Sequence, residues 1–111
     1  MSDVHYAVDM TAGAARDLEH IVDHFAALRG ADDAAALLDT FLEAIATLER
    51  FASRGAVPHE LDALGLHEFR QILLGHFRLI YRVIGERVVI LINADGRRDM
   101  RALLERRLLG Q

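Results

Sequence analysis

The chain contains no cysteine and no lysine. Without thiols it forms no disulfide, holds no zinc through thiolates and runs no thiol chemistry, so its stability has to come from packing. It lacks any run near the roughly twenty apolar residues a membrane span requires. Its opening M-S-D-V-H-Y also lacks the basic-then-apolar order of a signal peptide, so a cytoplasmic protein is expected. Serine occurs only as Ser2 and Ser53, neither within G-x-S-x-G, and the glycines fit neither a P-loop nor a dinucleotide fingerprint. Nucleophilic hydrolysis finds no support, and no cofactor is expected.

The absence of lysine makes all 13 basic residues arginine, set against 17 acids for a net charge of −4. That balance argues against a whole-protein grip on nucleic acid. The charge is uneven, because Arg97, Arg98, Arg101, Arg106 and Arg107 all follow Asp95 while the acids concentrate in the first half. Arginine for lysine fits a compositional bias of the genome; it also supplies planar, multi-donor groups suited to phosphate and carboxylate.

With 111 residues, 52% of them hydrophobic, the chain suits one domain over 1–111, without repeats or linkers. Its centre is a hairpin from His76 to Asp95, in which Gly85-Glu86 separates two β-branched and aromatic runs and suits a type II′ turn. A two-residue turn predicts Val83 opposite Val88, Tyr81 opposite Ile90, Leu79 opposite Ile92 and Phe77 opposite Ala94, an apolar face that must be covered. The other face then pairs Ile84 with Arg87, Arg82 with Val89, Ile80 with Leu91, Arg78 with Asn93 and His76 with Asp95. Arg78 and Arg82 on that face either present cations to a partner or keep a solvated sheet soluble.

Upstream, Asp3–Met10 alternates as a half-buried strand. Thr11 is placed to cap a helix with Leu18, Ile21, Val22, Phe25 and Leu28 on one stripe, ending before Gly30. Asp32 or Asp33 starts a second helix striped by Leu37, Leu38, Phe41, Ile45 and Leu48, and the short link predicts an antiparallel helical hairpin. Periodicity is lost from Ala52 to Leu66, a loop pinned by Val57, Leu61 and Leu64. His67–Leu74 resumes as a strand closed by Gly75. A two-residue turn there puts Ile72 and Leu74 on the apolar face, and a three-residue loop puts Phe69 and Leu73 there. Asp99 then caps a short terminal helix with Met100, Leu103, Leu104 and Leu108 on one side. The order predicts an α+β fold: an N-terminal strand, a helical hairpin packed on a small antiparallel sheet, and a short C-terminal helix.

Few residues suggest chemistry. His20 and His24 stand four apart on one helix, but no third ligand follows, and a polar helix face explains them; no metal is assigned. Glu60 and Asp62 fall in the loop and read as a solvated surface pair. RNA cleavage through the 2′-hydroxyl would require a base, an acid and cations, which the arginines with His67, Glu68, His76 or Tyr81 could supply. Tyr81, however, falls on the apolar face, where its ring belongs to the core.

Several segments in order, A-A-R-D-L-E-H-I, L-E-R-F-A-S-R-G, E-L-D-A-L-G, F-R-L-I-Y-R-V, V-V-I-L and D-G-R-R-D-M, give the chain a pattern that resembles the RelE/ParE superfamily of bacterial toxins. The resemblance covers essentially the whole chain and implies a helical hairpin on an antiparallel sheet. It implies the toxin of a type II toxin–antitoxin pair, neutralised in a hetero-oligomer by a cognate antitoxin. ParE-like members bind DNA gyrase and block replication; RelE-like members enter the ribosome and cut mRNA. The ribosome-dependent nucleases are typically strongly basic and often carry a Tyr or His near the C-terminus. This chain is acidic and ends M-R-A-L-L-E-R-R-L-L-G-Q, so the ParE-like, non-catalytic reading is favoured, with the mRNA endoribonuclease as alternative. The resemblance marks Arg70, Arg78, Arg82, Arg97 and Arg98 as target- or antitoxin-binding residues and assigns no catalytic residue. An eroded copy without toxicity is the third reading.

Overall fold

A computed structural model describes residues 5–109. Its elements are β1 (Ala7–Met10), α1 (Ala12–Arg29), α2 (Ala31–Leu48), α3 (His59–Asp62), β2 (Phe69–Leu74), β3 (Phe77–Ile84), β4 (Arg87–Asp95) and α4 (Met100–Leu108). Asp3 and Val4 of the expected first strand lie outside the described residues. The α+β class and the order of elements are as expected, with α3 as an extra turn of helix inside the predicted loop. Among the described residues no helix is long and apolar enough to cross a membrane.

Local chemistry sets the helix ends. The Thr11 hydroxyl accepts from Ala14 N–H at 3.1 Å and caps α1. Gly30, at φ +95°, turns the chain directly into α2, a one-residue link shorter than the expected two or three. Asp32 and Asp33 occupy the first turn of α2, where the helix dipole favours acids. Asp99 caps α4 by accepting from Ala102 N–H at 3.1 Å.

The sheet runs β1-β4-β3-β2, with β1 parallel to β4 and the other pairs antiparallel. Gly75 and Gly85 adopt φ of +63° and +60° at the first positions of two-residue turns. No other residue type among those described has positive φ, so His76 and Glu86 follow in the order a type II′ turn requires. The β2–β3 turn resolves the open register: Leu74 faces Phe77 and Ile72 faces Leu79, which places Ile72 and Leu74 on the apolar face.

The central register is as expected only near the Gly85 turn. Ile84 opposes Arg87, Val83 opposes Val88, Arg82 opposes Val89 and Tyr81 opposes Ile90; the ladder then slips by one between Tyr81 and Ile80. Ile80 pairs with Ile92, Leu79 with Asn93, Arg78 with Ala94 and Phe77 with Asp95, leaving Leu91 as the bulged residue. The expected pairs Leu79–Ile92, Phe77–Ala94, Ile80–Leu91, Arg78–Asn93 and His76–Asp95 are thereby corrected. The reason is two-sided burial. Val88 to Ile92 is apolar at both parities, so alternation does not choose the register there.

The slip divides the core. Toward α1 and α2, Ile72, Leu79, Tyr81, Val88 and Ile90 pack with Leu18, Phe41 and Leu48. On the opposite face Ile80, Ile92 and Ala94 are covered by Leu61 of α3 and by Met100, Leu103 and Leu104 of α4. The face expected to stand open as a cationic surface is therefore largely sealed. Each fully buried Leu there contributes about 1.5–3 kcal/mol, which holds α4 against the sheet. Of the residues expected to pin the loop, Leu61 is buried and Leu64 is exposed.

Tyr81 is buried, with its ring in the core as expected from its parity. Its hydroxyl donates to Ala52 O at 2.7 Å and accepts from Gly55 N–H at 3.0 Å, tying the segment after α2 to the sheet. Burial pushes that hydroxyl above its ordinary pKa. Only glycine fits at 55, since a Cβ there would lie 2.6 Å from Gln71 O. Tyr81→Phe should leave Gly55 N–H unpaired in the interior and cost about 1–3 kcal/mol. Urea unfolding should show a lower midpoint with an unchanged slope.

Candidate partner-binding surface

The five arginines marked by the sequence do not form one patch. Arg78 is 8% exposed and lies on the α3–α4 side of the sheet. Its Nη1 and Nη2 donate to the Glu60 carboxylate at 2.7 and 2.8 Å, and its Nε donates to Gln71 Oε1 at 2.7 Å. Such a bidentate pair is strong and geometrically specific. It holds the Glu60 carboxyl down at about 2, with some opposition from burial. Gly96 lies over the Arg78 stem, where a Cβ would sit 2.7 Å from Cδ. Arg78 is thus a structural cation, and Glu60, which reads locally as a solvated loop residue, is its counter-ion.

Arg70, on edge strand β2, donates from Nη1 to Gly55 O at 2.6 Å and to Ser53 O at 3.3 Å, bracing the same segment that Tyr81 holds. Arg82 is exposed near the Gly85 turn, opposite Val89, and makes no ion pair among the described residues. Arg97 and Arg98 follow β4 together and are exposed. Arg97 forms a two-point contact with Asp95, Nε to Oδ1 at 3.0 Å and Nη2 to Oδ2 at 2.6 Å. That contact holds Asp95 at about 2 and raises Arg97 above its ordinary value. Of the five, Arg97 and Arg98 alone share a surface.

That surface is the rim of a groove of about 530 Å³ between α1 and the ends of β3 and β4. The α1 wall carries His20, Ile21, His24, Phe25 and Leu28; Phe77 and Asn93 belong to the opposite side. Of the apolar stripe expected on α1, Leu18 is buried, Ile21, Val22 and Phe25 are half-covered and Leu28 is exposed. His20 and His24 line the groove, but no group of three potential metal ligands forms among the described residues.

Beside this groove, β4 runs past the end of β1, whose pairing stops at Ile90. Side chains finish the edge. Arg107 of α4 donates to both Asp17 oxygens, at 3.0 and 2.9 Å, and to Leu91 O at 3.1 Å; Asp17 Oδ2 accepts from Asn93 N–H at 3.1 Å. This ion pair supplies the donor and acceptor that a neighbouring strand would otherwise provide. Asn93, 2% exposed, donates from Nδ2 to Ala14 O at 3.1 Å, and its Oδ1 is a buried acceptor with no partner among the described residues. Sequence spacing gives no sign of Asp17, Asn93 and Arg107 acting together, because they converge only once the slip turns Asn93 toward α1.

Comparison with known proteins agrees with this architecture. The family described as the ParE toxin of the type II toxin–antitoxin system parDE matches residues 8–100. No curated protein matches significantly. A chain of the chromosomal ParDE toxin–antitoxin system from P. aeruginosa is similar at a TM-score of 0.68 and 26% identity, covering 85% of this chain and 98% of its own. A chain of the toxin–antitoxin complex RelBE2 from Mycobacterium tuberculosis is similar at a TM-score of 0.56 and 27% identity, covering 85% and 94%.

The Glu60–Arg78 pair makes stability depend on pH with a definite sign. A carboxyl lowered from 4.5 to about 2 on folding contributes fully above about pH 4.5 and loses that contribution as pH falls toward 2. Glu60→Gln should lower stability at neutral pH by on the order of 3 kcal/mol. It should also flatten the decline between pH 4.5 and 2 relative to the unmodified chain, as read from denaturant unfolding at stepped pH. Asp95 titrates alike in both proteins, so the difference between the curves reports Glu60.

Proposed function

That this chain belongs to the ParE toxin family of type II toxin–antitoxin systems is the premise from which we propose that it arrests growth by binding DNA gyrase in the cytoplasm. On this reading a cognate antitoxin neutralises it in a hetero-oligomer, and it does not cleave RNA. The fate of Arg78 is the observation that carries this choice. A sheet-borne nuclease requires cations free to meet the scissile phosphate, whereas the Arg78 guanidinium is engaged by Glu60 and Gln71. Tyr81, the aromatic hydroxyl nearest such a role, is buried with both its hydrogen bonds made internally. The net charge of −4 also disfavours docking on ribosomal RNA, where phosphate contacts dominate affinity.

The RelE-like alternative draws on the likeness to the RelBE2 chain and on the exposed Arg82, Arg97 and Arg98. The two readings separate cleanly in purified systems. The chain in stoichiometric excess should inhibit gyrase supercoiling of relaxed plasmid with no ribosomes present, and should leave messages intact in a translation extract. Unimpaired supercoiling together with A-site cleavage lost in Arg82→Ala would replace the gyrase reading with the nuclease one.

A further inference from the structure

The sheet face opposite the helical hairpin is covered only in part. Its apolar cluster beneath α3 and α4 reaches Ile80 on β3 and Leu91 on β4. Beyond these, toward the Gly85 turn, alternation puts Arg82 and Ile84 of β3 and Arg87 and Val89 of β4 on that same face, because their neighbours Tyr81, Val83, Val88 and Ile90 pack toward α1 and α2. Ile84 is 50% exposed and Val89 is half-covered, so apolar surface stands open here. Arg82 makes no ion pair among the described residues. Arg87 pairs with Asp9 of β1, but both side chains are more than half exposed, where such a pair is worth little and leaves the guanidinium available. This patch lies at the opposite end of β3 and β4 from the groove lined by Phe77 and Asp95.

Charge is sorted between the two layers of the molecule. The hairpin Ala12–Leu48 holds seven acids and two arginines, whereas the chain from Glu49 onward holds eleven arginines and eight acids. A negative hairpin behind a positive sheet layer turns the open face toward an acidic surface during approach. Arginine beside uncovered apolar side chains is also the composition of an interface centre. A phosphodiester backbone would engage Arg82 and Arg87 and leave Ile84 and Val89 in water. A protein surface with an apolar recess rimmed by carboxylates engages all four.

We propose that this uncovered end of the sheet is the face the toxin presents to its target, gyrase. Ile84 and Val89 enter an apolar recess of the enzyme, and carboxylates at its rim meet Arg82 and Arg87. The identity of the target rests on the gyrase reading above; the choice of face rests on the open half-sheet and the sorted charge.

The test is inhibition of supercoiling by the gyrase holoenzyme on relaxed plasmid, with binding to gyrase measured separately in the absence of DNA. Ile84→Glu and Arg82→Glu, both at exposed positions, should each raise the concentration for half-inhibition about tenfold or more. Both should weaken DNA-free binding in step, with unchanged unfolding midpoints. Asp39→Arg, at an exposed position on α2, should alter neither measurement. Full inhibition by either sheet variant overturns the proposal, as does inhibition strengthened by Asp39→Arg, which would make overall charge rather than one face responsible. Binding of the unmodified chain to plasmid alone, lost in Arg82→Glu, overturns it in favour of a phosphate contact. If the unmodified chain neither binds nor inhibits gyrase, the gyrase reading fails, and growth arrest on expression still decides the face: arrest kept by both sheet variants overturns it, and arrest lost by both with midpoints unchanged supports it for another target.

Discussion

A single extra residue in β4 determines how this molecule is covered. Had the ladder continued without the bulge at Leu91, Ile92 and Ala94 would face the helical hairpin, and Asn93 would face the opposite side beside Arg78. The slip reverses all three. Ile92 and Ala94 become the seat of α4, and Asn93 turns to α1, where its side chain meets Ala14 O and its backbone meets Asp17. The bulged carbonyl of Leu91 is taken by Arg107, so α4 is fastened by a polar contact at the same place that creates its apolar seat. Bulges commonly re-aim side chains where a strand changes its neighbours, and β4 does so just beyond the last residue paired with β1.

Arginine chemistry supports this arrangement in a way lysine would not. Arg78 and Arg107 each engage a carboxylate through two nitrogens and reach a third acceptor, Gln71 in one case and Leu91 O in the other. A planar guanidinium can satisfy three acceptors in fixed directions, whereas an ammonium is a point charge on a flexible stem. Gly13 and Gly96 leave room for these groups: a Cβ would stand 2.9 Å from Arg107 Nη2 at the first and 2.7 Å from Arg78 Cδ at the second. The arginines, which read in sequence as groups suited to phosphate and carboxylate partners, are thus partly internal architecture.

Much of the fold was legible because it is encoded locally. Thr11 and Asp99 cap the helices they precede, Gly30 closes α1, and Gly85 sets a two-residue turn with the expected register as far as Tyr81. The rest depends on contacts between distant segments. Alternation could not reveal the slip, since Val88 to Ile92 is apolar at every position. The parallel pairing of β1 with β4 has no local signature, and Glu60 looks like a solvated acid until Arg78 is placed above it. The same limit applies to the surface. Helical spacing identified Ile21, Phe25 and Leu28 as one stripe, but not that the sheet covers only its beginning, and of the arginines singled out only Arg97 and Arg98 reach the groove.

The parallel partnership of β1 with β4 also orders the assembly of the protein. Ala7 meets Arg87 and Met10 meets Ile90, so the first strand has no ladder to join until Arg87–Ile90 has been made. The helical hairpin and the β2–β3 ribbon draw on near neighbours in sequence, whereas β1 closes the long loop from Ala7 to Arg87 and bears the larger entropic cost. During translation β1 therefore stays unpaired until β4 follows, so the mixed sheet is completed only after the helical hairpin and the β2–β3 ribbon have been made.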